Sequence, residues 1–156
     1  MSMEMARAWL DRYGMEELIL TFEASSATVY LAAEALHCEP GRIAKTLSFM
    51  VNAQVILLVT AGDVRIDNGK YKARFGTKAK MVKAEDAEQL LGHAVGGVCP
   101  FGVKPGIDVF LDVSLQKYPT VYPACGDSHS AIKLSCAELE RCSESKAWVD
   151  VCKPSE

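Results

Sequence analysis

No stretch of this sequence stays apolar for long enough to cross a bilayer. The longest run, Val55-Ile56-Leu57-Leu58-Val59, falls far short of the roughly 20 residues a spanning helix needs. The segment from Met1 to Arg7 lacks the basic-then-apolar order of a secretory signal, so a cytoplasmic chain with no membrane partner is expected. No Cys-x-x-Cys pair occurs among Cys38, Cys99, Cys125, Cys136, Cys142 and Cys152, and His37, His93 and His129 do not supply zinc-finger spacing. Free thiols and no metal are therefore expected. No Gly-x-Gly-x-x-Gly sequence and no glycine loop followed by a Walker lysine is present, which disfavours both common nucleotide-binding loops; no cofactor is expected. Repeats, low-complexity tracts and linkers are missing too, so residues 1–156 are expected to form one domain.

Positive charge is also in short supply. The net charge of −3 argues against a general nucleic-acid binder. Its distribution is uneven, however. Between Arg65 and Lys83 lie seven basic residues and one acid, Asp67, a local +6 that leaves −9 on the remainder. That stretch is either a solvated face or a phosphate-binding patch.

What is present is an apolar fraction near one half, enough for a substantial core, arranged in both helical and strand periods. Ala6, Trp9, Leu10 and Tyr13 share a helical face that Gly14 ends. Leu18 to Phe22 reads as a short strand, and Ser25-Ser26 can cap a helix carrying Val29, Ala32, Ala33 and Leu36. Pro40-Gly41 marks a turn. Ile43 to Val51 alternates at period two, Asn52-Ala53 turns the chain, and Gln54 to Thr60 reads as a strand buried on both sides. Asp67 caps a short basic helix; Glu85 to Leu91 forms another that Gly92 stops. Ile107 to Val113 reads as a half-buried strand. Thr120 to Pro123, Ala131 to Ser135 and Trp148 to Val151 are further strands, and Ala137 to Arg141 a short helix. Strands and helices mix without strict βαβ alternation, which predicts an α+β domain around a mixed, curved sheet with flanking helices.

Three places could carry chemistry. Lys45 shares a strand face with Ile43, Leu47, Phe49 and Val51. Its ammonium must reach an anion, a cleft or, by snorkelling, the solvent. The loop Gly96-Gly97-Val98-Cys99-Pro100-Phe101-Gly102 could turn its N–H groups toward the oxyanion of an ester, or could be an ordinary tight connection. Asp127-Ser128-His129 contains triad residue types, but sequence neighbours rarely converge as a triad, so a polar loop at a pocket mouth is the better reading. Cys99 and Cys125 are candidate nucleophiles with no activating cation beside them in sequence.

Taken together, Ser25 to Val29 (Ser-Ser-Ala-Thr-Val), Ile43 to Leu47 (Ile-Ala-Lys-Thr-Leu), Val95 to Gly102 (Val-Gly-Gly-Val-Cys-Pro-Phe-Gly) and Val109 to Leu115 (Val-Phe-Leu-Asp-Val-Ser-Leu) resemble the YbaK/prolyl-tRNA-synthetase-associated editing domain, in order and spacing, from about Ala6 to Val151. The resemblance implies a compact α+β fold with a mixed, barrel-like sheet, and hydrolysis of the ester joining a wrong amino acid to tRNA, mostly proline tRNA, by a free-standing deacylase. Partners would be the tRNA acceptor end and, by the same resemblance, prolyl-tRNA synthetase. It implies Lys45 as the pocket lysine, Gly96 and Gly97 as the loop that approaches the ester, and Thr28, Cys99, Pro100, Phe101 and Ser130 as substrate-binding residues. Alanine-removing members are expected to carry a histidine in a His-Pro-Leu-like segment. The matching stretch here, Val121-Tyr122-Pro123-Ala124, has none, and His129 is not given that role. The expected substrate is a small amino acid, alanine or a similar aliphatic ahead of cysteine. The alternatives are a cysteine-removing enzyme assisted by the substrate's thiol, a non-catalytic binder of charged tRNA or a synthetase, and a thiol hydrolase acting through Cys99.

Overall fold

The computed structural model describes residues 2–93 and 97–155. The first half of the chain runs from helix α1 (Ser2–Asp11) through strand β1 (Ile19–Thr21) and helix α2 (Val29–Leu36) into the long hairpin β2 (Ile43–Val51) and β3 (Gln54–Ala61). Strand β4 (Val64–Ile66) and helices α3 (Asn68–Phe75) and α4 (Ala84–Leu91) follow. The second half holds β5 (Asp108–Asp112), β6 (Thr120–Pro123), β7 (Ser130–Ile132), β8 (Leu134–Ser135), α5 (Cys136–Ser143), β9 (Ala147–Val149) and β10 (Cys152–Pro154). Six strands form one mixed sheet in the order β8-β6-β2-β3-β5-β9, curled into half a barrel. Two small antiparallel pairs, β1 with β7 and β4 with β10, form separate two-stranded sheets.

Local chemistry explains most of these elements. Asn52 and Ala53 both take positive φ, the geometry of a two-residue hairpin turn whose twist matches the flanking strands. Asp67 accepts a hydrogen bond from the Lys70 N–H at 3.0 Å and so caps α3. Ser135 and Glu138 form a reciprocal capping box at α5. Gly92, at φ +94°, ends α4 in the left-handed conformation that glycine adopts without a Cβ penalty.

Strand β3 is buried on both faces, as expected, and separates two apolar layers. Leu57 and Val59 pack with Ala44, Leu111, Leu10 of α1, Leu91 of α4 and Leu139 of α5. Ile56 and Leu58 point the other way, onto Phe49, Phe110, Tyr71 of α3 and Val151. Strand β5 differs from the half-buried reading. Phe110 sits under Phe75 with ring centroids 5.2 Å apart, so both faces of β5 are covered. Asp112 is buried as well, and its carboxylate oxygens accept from the Val151 and Ser114 N–H groups, both at 2.9 Å. Buried carboxylates persist when hydrogen-bonded in this way. A second difference is the start of α2. Thr28, not Ser25 or Ser26, accepts from the Leu31 N–H at 3.2 Å. The Ser26 hydroxyl instead reaches the Ser128 carbonyl at 3.0 Å and ties the start of α2 to the loop before β7.

Candidate active site

Strand β2 is the wall on which the site is built. Its parallel neighbour β6 pairs only with Ile43 and Ala44. Further along the same edge, the segment around Met81 pairs with β2 at Phe49. Between them the strand edge is unpaired among the described residues, and a cavity of about 320 Å³ lies against it. Helix α2 contributes Val29 and Ala32, with Thr28 at its cap; the segment before α4 contributes Met81 and Val82; Val98, Tyr122, Ala124, Ser130 and Ala131 complete the lining. Seven of the twenty lining residues are alanines, Ala27, Ala32, Ala44, Ala84, Ala87, Ala124 and Ala131, so short apolar side chains make up about a third of the wall, beside larger ones such as Met81 and Tyr122 and polar ones such as Lys45 and Thr46.

Lys45 lines this cavity and is half-buried. Its ammonium donates to the Val64 carbonyl of β4. An ammonium has three N–H donors, and this bond uses one. Burial lowers the Lys45 pKa below the ordinary lysine value, while the Cys152 thiol and the Asp63 carboxylate act in the opposite direction. Two hydroxyls on the cavity wall are buried with no partner among the described residues, Thr46 Oγ1 and Ser130 Oγ. Such groups are uncommon in folded proteins, because each forgoes its water without replacing it. Thr46 was not singled out from the sequence; its signal is the unpaired strand edge, which only tertiary structure creates.

The structure brings Lys45, Thr28 and Ser130 to one cavity, which Val98 also lines. Gly96 lies outside the described residues. Gly97 is buried against the loop at Gly126-Asp127; a Cβ there would meet Asp127 Cα at 2.5 Å. Cys99, Pro100 and Phe101, expected to touch substrate, are buried and do not line the cavity. Cys99 and Phe101 belong to the main core, and the buried His93 imidazole holds them there. Its Nε2–H donates to the Phe101 carbonyl at 2.7 Å and lies 3.6 Å from Cys99 Sγ. Val98, the neighbour of Cys99, takes the wall position.

No triad forms at the polar loop. His129 Nδ1 faces the Ala24 carbonyl at 3.2 Å, the His129 backbone N–H donates to Asp127 Oδ1 at 2.9 Å, and the Ser128 carbonyl is bound to Ser26. Neither candidate thiol is activated. Burial pushes Cys99 up to about 12 and raises Cys125 well above the ordinary thiol value. A thiol with so high a pKa is protonated at neutral pH and is not the nucleophilic form. Cys99→Ser should therefore keep deacylation within about fivefold of wild type, since no step that would carry a larger energetic effect passes through the thiol. A trapped acyl-cysteine at position 99 would reverse this assignment. Among the described residues no cluster of three His, Cys, Asp or Glu could hold a metal, and no helix is long and apolar enough to cross a membrane.

The segment from Arg65 to Lys83 divides in two. On α3, Lys70 pairs with Asp150 at 3.1 Å, and Arg74 lies over the Phe75 and Phe110 rings. Lys78, Lys80 and Lys83 are exposed and flank Met81 and Val82 at the cavity wall.

Residues 23–142 match the model of the aminoacyl-tRNA editing domain. The "Uncharacterized protein YwhH" of Bacillus subtilis is 47% identical over 154 residues, 98% of each chain. The "Proline--tRNA ligase" of Bacillus cytotoxicus is 27% identical over 78 residues, which is 49% of this chain and 14% of that enzyme. Among solved structures, a "putative trans-editing enzyme for prolyl tRNA synthetase" superposes with a TM-score of 0.87 at 28% identity, over 97% of both chains.

Proposed function

We propose, from the premise that the chain belongs to the aminoacyl-tRNA editing domain family, that it hydrolyses mischarged proline tRNA carrying a small amino acid, alanine or a similar aliphatic, as a free-standing enzyme of the cytoplasm. The observation that carries this reading is the alanine-rich cavity beside Lys45 at the edge of β2. Short side chains leave room for a small aminoacyl group, and the lysine supplies positive charge where the acceptor end must enter. In this reading Lys45 turns its remaining N–H donors to the terminal phosphate, the anion nearest the ester. Water, assisted by the ribose hydroxyl of the tRNA, attacks the carbonyl carbon. The bond from that carbon to the ribose oxygen breaks, and the oxygen leaves with a proton. An aminoacyl ester is already activated, so orientation and a polarised carbonyl suffice without a protein nucleophile.

Discrimination among small residues is bounded by physics: one methylene is worth about 1–3 kcal/mol in an apolar pocket. Alanine, 2-aminobutyrate, serine and cysteine should therefore all be removed from proline tRNA, with alanine ahead of cysteine. Initial rates on that panel test the preference. Loss of cysteine alone would favour the branch in which the substrate's thiol attacks its own ester.

The exposed lysines beside the cavity give the reading a second test. Phosphate contacts release counterions, so tRNA binding should weaken as salt rises. Reversing Lys78, Lys80 and Lys83 to glutamate should weaken binding at least tenfold at moderate salt and flatten the salt dependence. Unchanged affinity would return these residues to a solvated face.

A further inference from the structure

Among the described residues, Thr46 of β2 has neither its main-chain N–H nor its carbonyl paired at the edge that faces the cavity. Pro123 has no N–H, so the parallel bridge between Ala44 and Pro123 must run from Ala44: its N–H to the Tyr122 carbonyl and its carbonyl to the Ala124 N–H. On the other side of the opening, the Met50 N–H donates to the Lys80 carbonyl at 2.8 Å, and the Ser48 carbonyl accepts from the Val82 N–H at 3.0 Å. Strand geometry repeats every two residues, so residues 44, 46, 48 and 50 all turn their N–H and C=O to this edge. Ala44 is bridged to β6, Ser48 is held by its carbonyl and Met50 by its N–H; Thr46 has neither group held, among the described residues. From Ala44 to Ser48 the opening spans about 13 Å of strand, at roughly 3.3 Å per residue.

We infer that the main chain of Thr46 aligns the substrate by pairing with the aminoacyl group as if it were one residue of an added strand. The Thr46 N–H donates to the ester carbonyl oxygen, and the Thr46 carbonyl accepts from the α-ammonium. This rests on the deacylase reading for its substrate. The pairing places a fixed N–H where negative charge develops as water attacks, which is the electrostatic contribution of an oxyanion donor. The α-ammonium of a primary amino acid has two further protons, and two buried, unpartnered acceptors, Thr46 Oγ1 and Ser130 Oγ, stand on the same wall. A prolyl group has one proton fewer and a ring closed onto its nitrogen, so it cannot make the same set of bonds.

The test uses the full chain and a non-hydrolysable mimic of the charged acceptor end, 3′-alanylamino-3′-deoxyadenosine 5′-phosphate. In an amide-resolved NMR titration the Thr46 N–H should move downfield and exchange with solvent at least tenfold more slowly. A Thr46 amide that neither shifts nor gains protection while Ala44 and Ser130 resonances move would overturn the inference. As a second measurement, replacing the amide at position 46 by an ester removes this N–H and keeps the side chain. It should slow alanyl-tRNA deacylation about 100-fold, the usual scale for losing one oxyanion donor, in a chain that remains folded; wild-type turnover by that folded ester variant would also overturn it. A wild-type chain that hydrolyses no charged tRNA, yet shows the Thr46 shift, would remove the deacylase reading and leave the pairing standing.

Discussion

Lys45→Ala should lose at least about 100-fold in turnover of alanine-charged proline tRNA, the scale of removing one preorganised electrostatic contact, while its Tm stays within about 3 °C of wild type. The two halves of this expectation have separate causes. Turnover falls because no other lysine lines the cavity among the described residues. Stability is nearly unchanged because two effects oppose one another. The substitution strands the Val64 carbonyl that Lys45 serves, at about 1–3 kcal/mol if water does not reach it. It also removes a half-buried ammonium whose charged form burial disfavours. Lys45→Met keeps most of the volume and should be at least as stable as the alanine variant. The pH dependence has a definite sign. The folded-state pKa of Lys45 is lowered, so the penalty is present in full below that value and is relieved as pH rises through it toward the unfolded lysine value. Wild type should therefore gain stability relative to Lys45→Met as the solution becomes alkaline. Near-normal turnover in either variant would remove Lys45 from the mechanism.

Gly97→Ala carries the second large effect, on both stability and activity. The cause is close approach of two backbones. A Cβ at position 97 would lie 2.5 Å from Asp127 Cα, 2.6 Å from Asp127 N and 2.6 Å from the Gly126 carbonyl carbon. Backbone cannot rotate aside as a side chain can, so the loops must separate. Overpacking of this kind costs about 1–3 kcal/mol, which in a chain of this size lowers Tm by about 3–10 °C. The loop bearing Asp127 continues into Ser130 and Ala131 on the cavity wall, so turnover should fall at least tenfold at a temperature where the variant is fully folded. An unchanged Tm would show that the two loops are not held in contact.

Much of the fold could be read before the structure, because local signals and tertiary demands agree there. The period-two pattern of Ile43 to Val51, the turn at Asn52-Ala53, the Asp67 cap and the Gly92 stop each depend on a few adjacent residues. Strands β4 and β10 were not legible. Each is three residues long, and they find one another across the chain, Cys152 opposite Ile66, with no periodicity to announce either. The cap of α2 is Thr28, two or three residues past the Ser25-Ser26 the sequence points to, because all three are capping types and a tertiary bond to Ser128 engages Ser26.

The site divides in the same way. Lys45 stood out because a cation on an apolar strand face is costly. Cys99 stood out as a reactive type in a glycine-rich loop, but a one-residue difference in direction sends its side chain to the core and leaves Val98 on the wall. Thr46 gave no sequence signal, since its distinction is that β6 ends at Pro123 and the next partner begins at Met81.

Single-turnover hydrolysis of one tRNA species, proline tRNA, charged with alanine or with proline, decides whether the cavity edits by size and by the bonds to the α-ammonium. Alanine should be released rapidly, at least about 100-fold faster than its uncatalysed loss, with proline left at close to its uncatalysed rate, a discrimination that requires both the small cavity and bonds a prolyl nitrogen cannot make. Release of proline as fast as alanine, or release of neither, would contradict it.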